Sequence, residues 1–228
     1  MKQTSIIKRK VGALFDRILV VLQPPHRELP FVLQQLLEGS THLVDLGCGQ
    51  GNHLRSIQRP SASRWIGVDS HQASLDFALA NDIYDEVVCE NIITWLQSQP
   101  TASVDTLLAS CVIEHLDKAT GLLLAHEMKR VCSRQAIVFT PNGFVPQPGS
   151  VDNPANAHQS GWKVAELNDL GFKVKVGLYG LRGLRSSFGL PTIRPPMLGD
   201  TIAKSTSRIV YRMPRFAYQI VGVHQKKT

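Results

Sequence analysis

The chain has 228 residues, 43% of them hydrophobic, enough to bury a sizeable core within one domain. No run approaches the ~20 apolar residues that a membrane-spanning helix needs. Its net charge of +7 divides into +4 over residues 1–30, −5 over 31–150 and +8 over 151–228, an acidic middle between basic ends that suit an anionic partner or simply water.

In chain order, Ile7, Val11, Leu14, Phe15, Ile18 and Leu22 recur at spacings of three and four, and predict an amphipathic helix over residues 5–22 stopped by Pro24-Pro25. Asp16 and Arg17 interrupt the apolar run after Lys8-Arg9-Lys10, which argues against a signal peptide. A short helix is expected over residues 31–38, opened by Pro30 and ended by Gly39. Strands then follow at residues 42–46, 65–68, 86–89, 104–112 and 135–139. Helices alternate with them at residues 52–59, 73–80, 92–98 and 118–131. Near-continuous apolar strands alternating with helices predict a parallel sheet covered on both faces, in a doubly wound α/β topology. Residues 172–178 and 216–223 read as an antiparallel pair of edge strands, with a helical stretch over 201–212 between them. The four cysteines, Cys48, Cys89, Cys111 and Cys132, lack CxxC spacing. They read as free buried thiols in a reducing compartment, the cytoplasm, with no zinc site.

The chemistry concentrates where the first strand ends. Val44-Asp45-Leu46 runs into Gly47-Cys48-Gly49-Gln50-Gly51, and in such a sheet ligands bind beyond the carboxyl ends of the strands. A dinucleotide turn would read G-x-G-x-x-G, but here the third glycine comes one place early and no Walker lysine follows. This spacing suits a ligand with a cationic amino group and no phosphate, which Asp45 would answer. Asp69 ends the next strand 22 residues after Gly47, where a carboxylate is expected to accept ribose hydroxyls; its plainer role is a helix cap.

These segments resemble the class I S-adenosylmethionine-dependent methyltransferases, in particular the small-molecule branch that includes the ubiquinone and menaquinone types. Residues 44–51 look like that family's first motif and Gly67-Val68-Asp69 its second. Residues 104–110 with Val112-Ile113-Glu114-His115-Leu116 are similar to its fourth-strand motif, and residues 127–131 with 137–142 to its next helix and fifth strand. The resemblance covers residues 42–143 in the family's order. It implies a seven-stranded, mainly parallel Rossmann-like sheet with an antiparallel last strand. It also implies S-adenosylmethionine as cofactor and S-adenosylhomocysteine as product, with Asp45, Gly47, Cys48, Gly49, Asp69, Ser70 and Ser110 in the cofactor site. Where the family carries Gly-Asp for the adenine amino group this chain has Glu90-Asn91, so that contact is assigned to the pair; Asn91 also reads as a helix cap.

The expected organisation is one domain: a helical extension over residues 1–28, a cofactor-binding core over 42–143, and acceptor-side loops and edge strands over 144–228. His158 and His115 are the candidates to position or deprotonate an acceptor, with loop fastening as the alternative for both, and His126 reads as structural. A small-molecule acceptor methylated on oxygen is the leading expectation, whether metabolite, quinone, lipid or saccharide. An RNA acceptor and a non-catalytic cofactor-binding protein are the alternatives. The helix over residues 5–22 reads as a lid, a peripheral membrane contact or a nucleic-acid contact, in that order.

Overall fold

Alternation at every second residue builds the sheet. In the computed structural model, which describes residues 28–149, 153–186 and 189–226, β1 (His42–Leu46) lies between β2 (Arg64–Asp69) and β4 (Val104–Ser110). Outside these lie β3 (Glu86–Cys89) and β5 (Cys132–Pro141), and all five run parallel. β6 (Lys173–Leu181) and β7 (Ala217–Gln225) complete the order β3-β2-β1-β4-β5-β7-β6, with β7 antiparallel to both of its neighbours. Val44, Leu46, Leu107, Ala109, Ala136 and Val138 point into one core. Leu43, Leu108, Ile137 and Phe139, offset by one residue, point into the other.

α1 (Leu29–Leu37) and α2 (Gln72–Ala80) cover the Leu43 face. α3 (Ile92–Ser98), α4 (Lys118–Val131) and α5 (Val164–Asp169) cover the Val44 face. The helix expected over residues 5–22 lies outside the described residues. Among these residues no helix is long and apolar enough to cross a membrane.

Two predicted helices take another form. Residues 52–59 make turns, not an α-helix: Gly51 C=O accepts from Leu54 N–H at 3.1 Å and Arg55 N–H at 3.0 Å, and the pattern stops. Leu54 and Ile57 are both drawn into the core on the Leu43 face, and Arg59 reaches Asp85 at 2.6 Å, so this stretch runs back along that face to the start of β2. The 201–212 stretch is two helices, α6 (Pro196–Ser205) and α7 (Ser207–Arg212). Thr206 sits at the break, its hydroxyl donating to Ala203 C=O at 2.7 Å and accepting from Leu181 N–H at 2.9 Å. The cysteine expectation needs a correction as well: Cys48 and Cys132 are buried, Cys111 is half-buried and Cys89 is exposed. Cys89 falls in β3, whose burial is incomplete at the sheet edge.

Candidate functional site

Strand order reverses between β1 and β4, and the crevice beyond their carboxyl ends is where such a sheet leaves room for a ligand. Gly47, Gly49 and Gly51 all adopt positive φ there, at 66°, 50° and 72°. A Cβ on Gly47 would meet Val112 Cγ2 at 2.7 Å, whereas nothing lies within 4 Å of one on Gly49. The first glycine is therefore required by packing, and the middle one leaves open space beside the turn.

Asp69 closes this turn from the neighbouring strand. Its Oδ2 accepts the Gly49 N–H at 2.8 Å and its Oδ1 the His71 N–H at 2.9 Å. An ionised carboxylate has about four lone-pair sites, so two remain for a diol. A cleft of about 260 Å³ opens here, bounded by Gly47, Asp69, Ser70, Asn91, Val112 and His115 among others. Asn91 caps α3, its Oδ1 accepting from Ile93 N–H at 2.9 Å and Thr94 N–H at 3.3 Å, and it lines the cleft as well. The cap occupies both lone pairs of that oxygen and leaves the amide N–H₂ as its free polar group. Glu90 donates its backbone N–H to Asp69 C=O at 3.0 Å but does not line the cleft.

The remaining predicted cofactor residues stand behind the turn. Asp45 is buried on the Leu43 face and accepts the Tyr84 hydroxyl at 2.7 Å. Cys48 packs its sulfur against Gly67, where a Cβ would lie 2.8 Å from it. The Ser110 hydroxyl bonds His53 Nδ1 at 2.8 Å. None of the three lines the cleft. Burial raises the Asp45 pKa from 3.8 to about 7, against the opposing Tyr84 hydrogen bond, and the nearby Asp69 charge adds to the rise. Across that window the folded chain keeps a proton that the unfolded chain has lost. Stability is therefore expected to fall as pH rises from about 4 to about 7 and to level off above. Asp45→Asn, whose amide oxygen still accepts from Tyr84, should give a shallower slope in urea denaturation at stepped pH. An unchanged slope would show that Asp45 does not titrate there.

A second cavity, of about 970 Å³, adjoins the cleft: Cys111 and His115 line both. It is also lined by His53, Glu114, Gln147, His158, Tyr179, Arg185 and Tyr218. His115 and His158, 43 positions apart in sequence, meet here edge to face with ring centroids 4.8 Å apart. His115 Nδ1 faces Ala157 C=O at 3.2 Å and His158 Nδ1 faces Val145 C=O at 2.7 Å. Burial lowers the pKa of both rings and of His53, keeping them neutral near pH 7. Burial raises Glu114 to about 7, against its hydrogen bond from Thr140, and holds the Cys111 thiol well above its ordinary value, so Cys111 is no thiolate nucleophile. His126, by contrast, is largely exposed on α4 beside Glu127.

Sequence reading missed His53, Tyr84, and the place of Tyr179 and Tyr218 in the cavity wall. His53 follows the glycine turn by two residues, which was a usable signal; the tyrosines come from a loop and from β6 and β7, with none.

Residues 44–140 match the family described as "Methyltransferase domain". A trans-aconitate 2-methyltransferase of Acidovorax sp. (strain JS42) is 28% identical over 131 residues, 54% of this chain and 46% of that protein. The chain thus spans about half the length of this curated relative. A solved S-adenosylmethionine-dependent methyltransferase from Archaeoglobus fulgidus matches with TM-score 0.51 and 18% identity, over 86% of this chain and 93% of that one. The plantazolicin methyltransferase BpumL, solved in complex with S-adenosylhomocysteine, matches with TM-score 0.52 and 14% identity, over 96% and 90%.

Proposed function

From the match of residues 44–140 to the family described as "Methyltransferase domain", we propose that the protein is an S-adenosylmethionine-dependent methyltransferase that transfers a methyl group to an oxygen of a small hydroxylated molecule. The observation that carries this reading is the junction of two cavities at Cys111 and His115: a narrow cleft beside the glycine turn and a larger, polar-lined space behind it. S-adenosylmethionine supplies an activated methyl on sulfur. The protein's contribution is to bring the acceptor atom to within about 3–3.5 Å of that methyl and to keep it aligned.

Asp69 is assigned to the ribose hydroxyls, the open backbone at Gly49 to the amino-acid end, and Asn91 with the neighbouring Glu90 to the adenine. Asp45 acts from behind, fixing the turn through Tyr84. On the acceptor side, the backbone carbonyls take the Nδ1 hydrogens of His115 and His158, so each Nε2 carries the lone pair that positions an acceptor hydroxyl or takes its proton. His53, tied to Ser110, and Tyr179 and Tyr218 shape the rest of the cavity wall. The loops beyond residue 143 are assigned to acceptor entry.

His158→Ala is expected to leave S-adenosylhomocysteine affinity unchanged and to reduce turnover by about a hundredfold or more. The direct test supplies methyl-tritiated S-adenosylmethionine with a panel of hydroxylated metabolites, quinones and saccharides, and separately with RNA. Label in an alkali-stable ether of a small molecule supports the reading. Label in RNA alone replaces it, and label nowhere despite cofactor binding favours a non-catalytic protein.

A further inference from the structure

Glu114, His115 and His158 each present one metal-ligating atom, and these atoms lie within 4.8 Å of one another. Two separate stretches of chain assemble them. The Gln159 and Ser160 N–H groups donate to Glu114 C=O at 2.8 and 3.1 Å, laying the His158 loop against the turn after β4. Both imidazoles give Nδ1 to a backbone carbonyl, and because a carbonyl only accepts, each Nδ1 carries the hydrogen and each Nε2 the lone pair. Metal-ligating histidines are oriented in this way, by a carbonyl on the far nitrogen. Glu114 is 2% exposed, and its Oε2 accepts the Thr140 hydroxyl at 2.9 Å. Among the described residues no Lys or Arg forms an ion pair with it. Buried with no cation beside it, this acid is pushed toward its neutral form, and a bound metal ion would supply the charge that lets it ionise.

We propose that Glu114, His115 and His158 hold one divalent first-row transition-metal ion on the acceptor side of the cavity junction. Two imidazoles and one carboxylate form a set suited to manganese, iron, cobalt or zinc, whereas magnesium favours oxygen ligands throughout. Metal–ligand bonds of about 2.0–2.2 Å at roughly 90–120° put ligand atoms about 3.0–3.7 Å apart, so loading draws the widest pair inward by about 1 Å or more. Three protein ligands leave coordination positions open toward the cavity, matching an acceptor with two adjacent oxygens, such as a vicinal diol or a 2-hydroxy acid. With the ion bound, the His115 and His158 Nε2 lone pairs hold metal instead of the acceptor proton, and a hydroxyl coordinated there loses its proton to water near neutral pH. Its oxygen lone pair then forms the new O–CH₃ bond while the S–CH₃ electron pair returns to sulfur, leaving the neutral thioether. The inference rests on the proposed reaction for this last step only; the binding site stands on its own geometry.

Binding is therefore tested apart from activity. Full-length protein is treated with a chelator and titrated with Co²⁺ alone, following visible d–d absorption and calorimetric stoichiometry. S-adenosylhomocysteine binding is measured on the same samples. One Co²⁺ per chain is expected, weakened at least about tenfold in His158→Gln and in Glu114→Gln. S-adenosylhomocysteine affinity should be retained in His158→Gln, which shows that this half-buried variant is folded even if Glu114→Gln is not. No Co²⁺ binding by the wild type, or equal affinity in a folded His158→Gln, would overturn the metal site while leaving the methyltransferase reading intact. Failure of the wild type to bind S-adenosylhomocysteine would strike that reading instead.

Discussion

Asp69→Ala is expected to weaken S-adenosylhomocysteine binding by about ten- to a hundredfold, the ~1.5–3 kcal/mol typical of hydrogen bonds to a charged group. The side chain does two things at once. It holds the Gly49 and His71 N–H groups at 2.8 and 2.9 Å, fixing the turn, and it retains lone pairs for a diol at the cleft rim. Asp69→Asn separates these roles. Its amide oxygen still accepts from a backbone N–H, but it has lost one acceptor and the charge. Calorimetry should place it between wild type and Asp69→Ala. Unchanged affinity in both variants would mean that the ribose is held elsewhere.

Trp162→Ala is expected to cost about 3–5 kcal/mol of stability in urea denaturation, the range for emptying a fully buried aromatic site. Trp162 is 1% exposed, and its indole N–H donates to Ser160 Oγ at 2.9 Å and Ile113 C=O at 3.2 Å. Its ring fills the space over Gly121, where a Cβ would lie 2.5 Å from Cζ2, and Lys118 Nζ stands 3.5 Å from the ring centroid. The residue therefore joins α4, the turn after β4 and the His158 loop. Turnover should fall further than stability alone requires, because His158 loses its register against His115. Trp162→Phe keeps most of the apolar volume and should lose less. A loss under about 1 kcal/mol for Trp162→Ala would show that the loop is anchored by other contacts.

Much of this was legible in the sequence for physical reasons. Strands buried on both faces read as continuous apolar runs, so β1, β4 and β5 could be placed from composition alone. The turn at Gly47–Gly51 and the spacing to Asp69 follow from one crossover between neighbouring parallel strands, a local feature of limited length. Of the residues expected on the cofactor side, Gly47, Asp69, Ser70 and Asn91 line the cleft, whereas Asp45, Cys48 and Ser110 do not. The Glu114–His115–His158 cluster was not legible as a unit. His158 joins the other two only through the Gln159 and Ser160 bonds to Glu114 C=O, a tertiary contact that no spacing encodes. Cysteine spacing argued against a thiolate zinc site and carries no information about sites built from His and Glu. The turns at residues 52–59 departed from expectation because core packing of Leu54 and Ile57 outweighed a weak helical pattern.

The most direct measurement is a crystal structure of the full chain with S-adenosylhomocysteine. It should show the ribose hydroxyls within hydrogen-bond distance of the Asp69 carboxylate, with the sulfur directed toward Cys111 and His115, where the two cavities meet. Ligand density at another place on the protein, or a cleft filled by the chain's own side chains at saturating ligand, would contradict it.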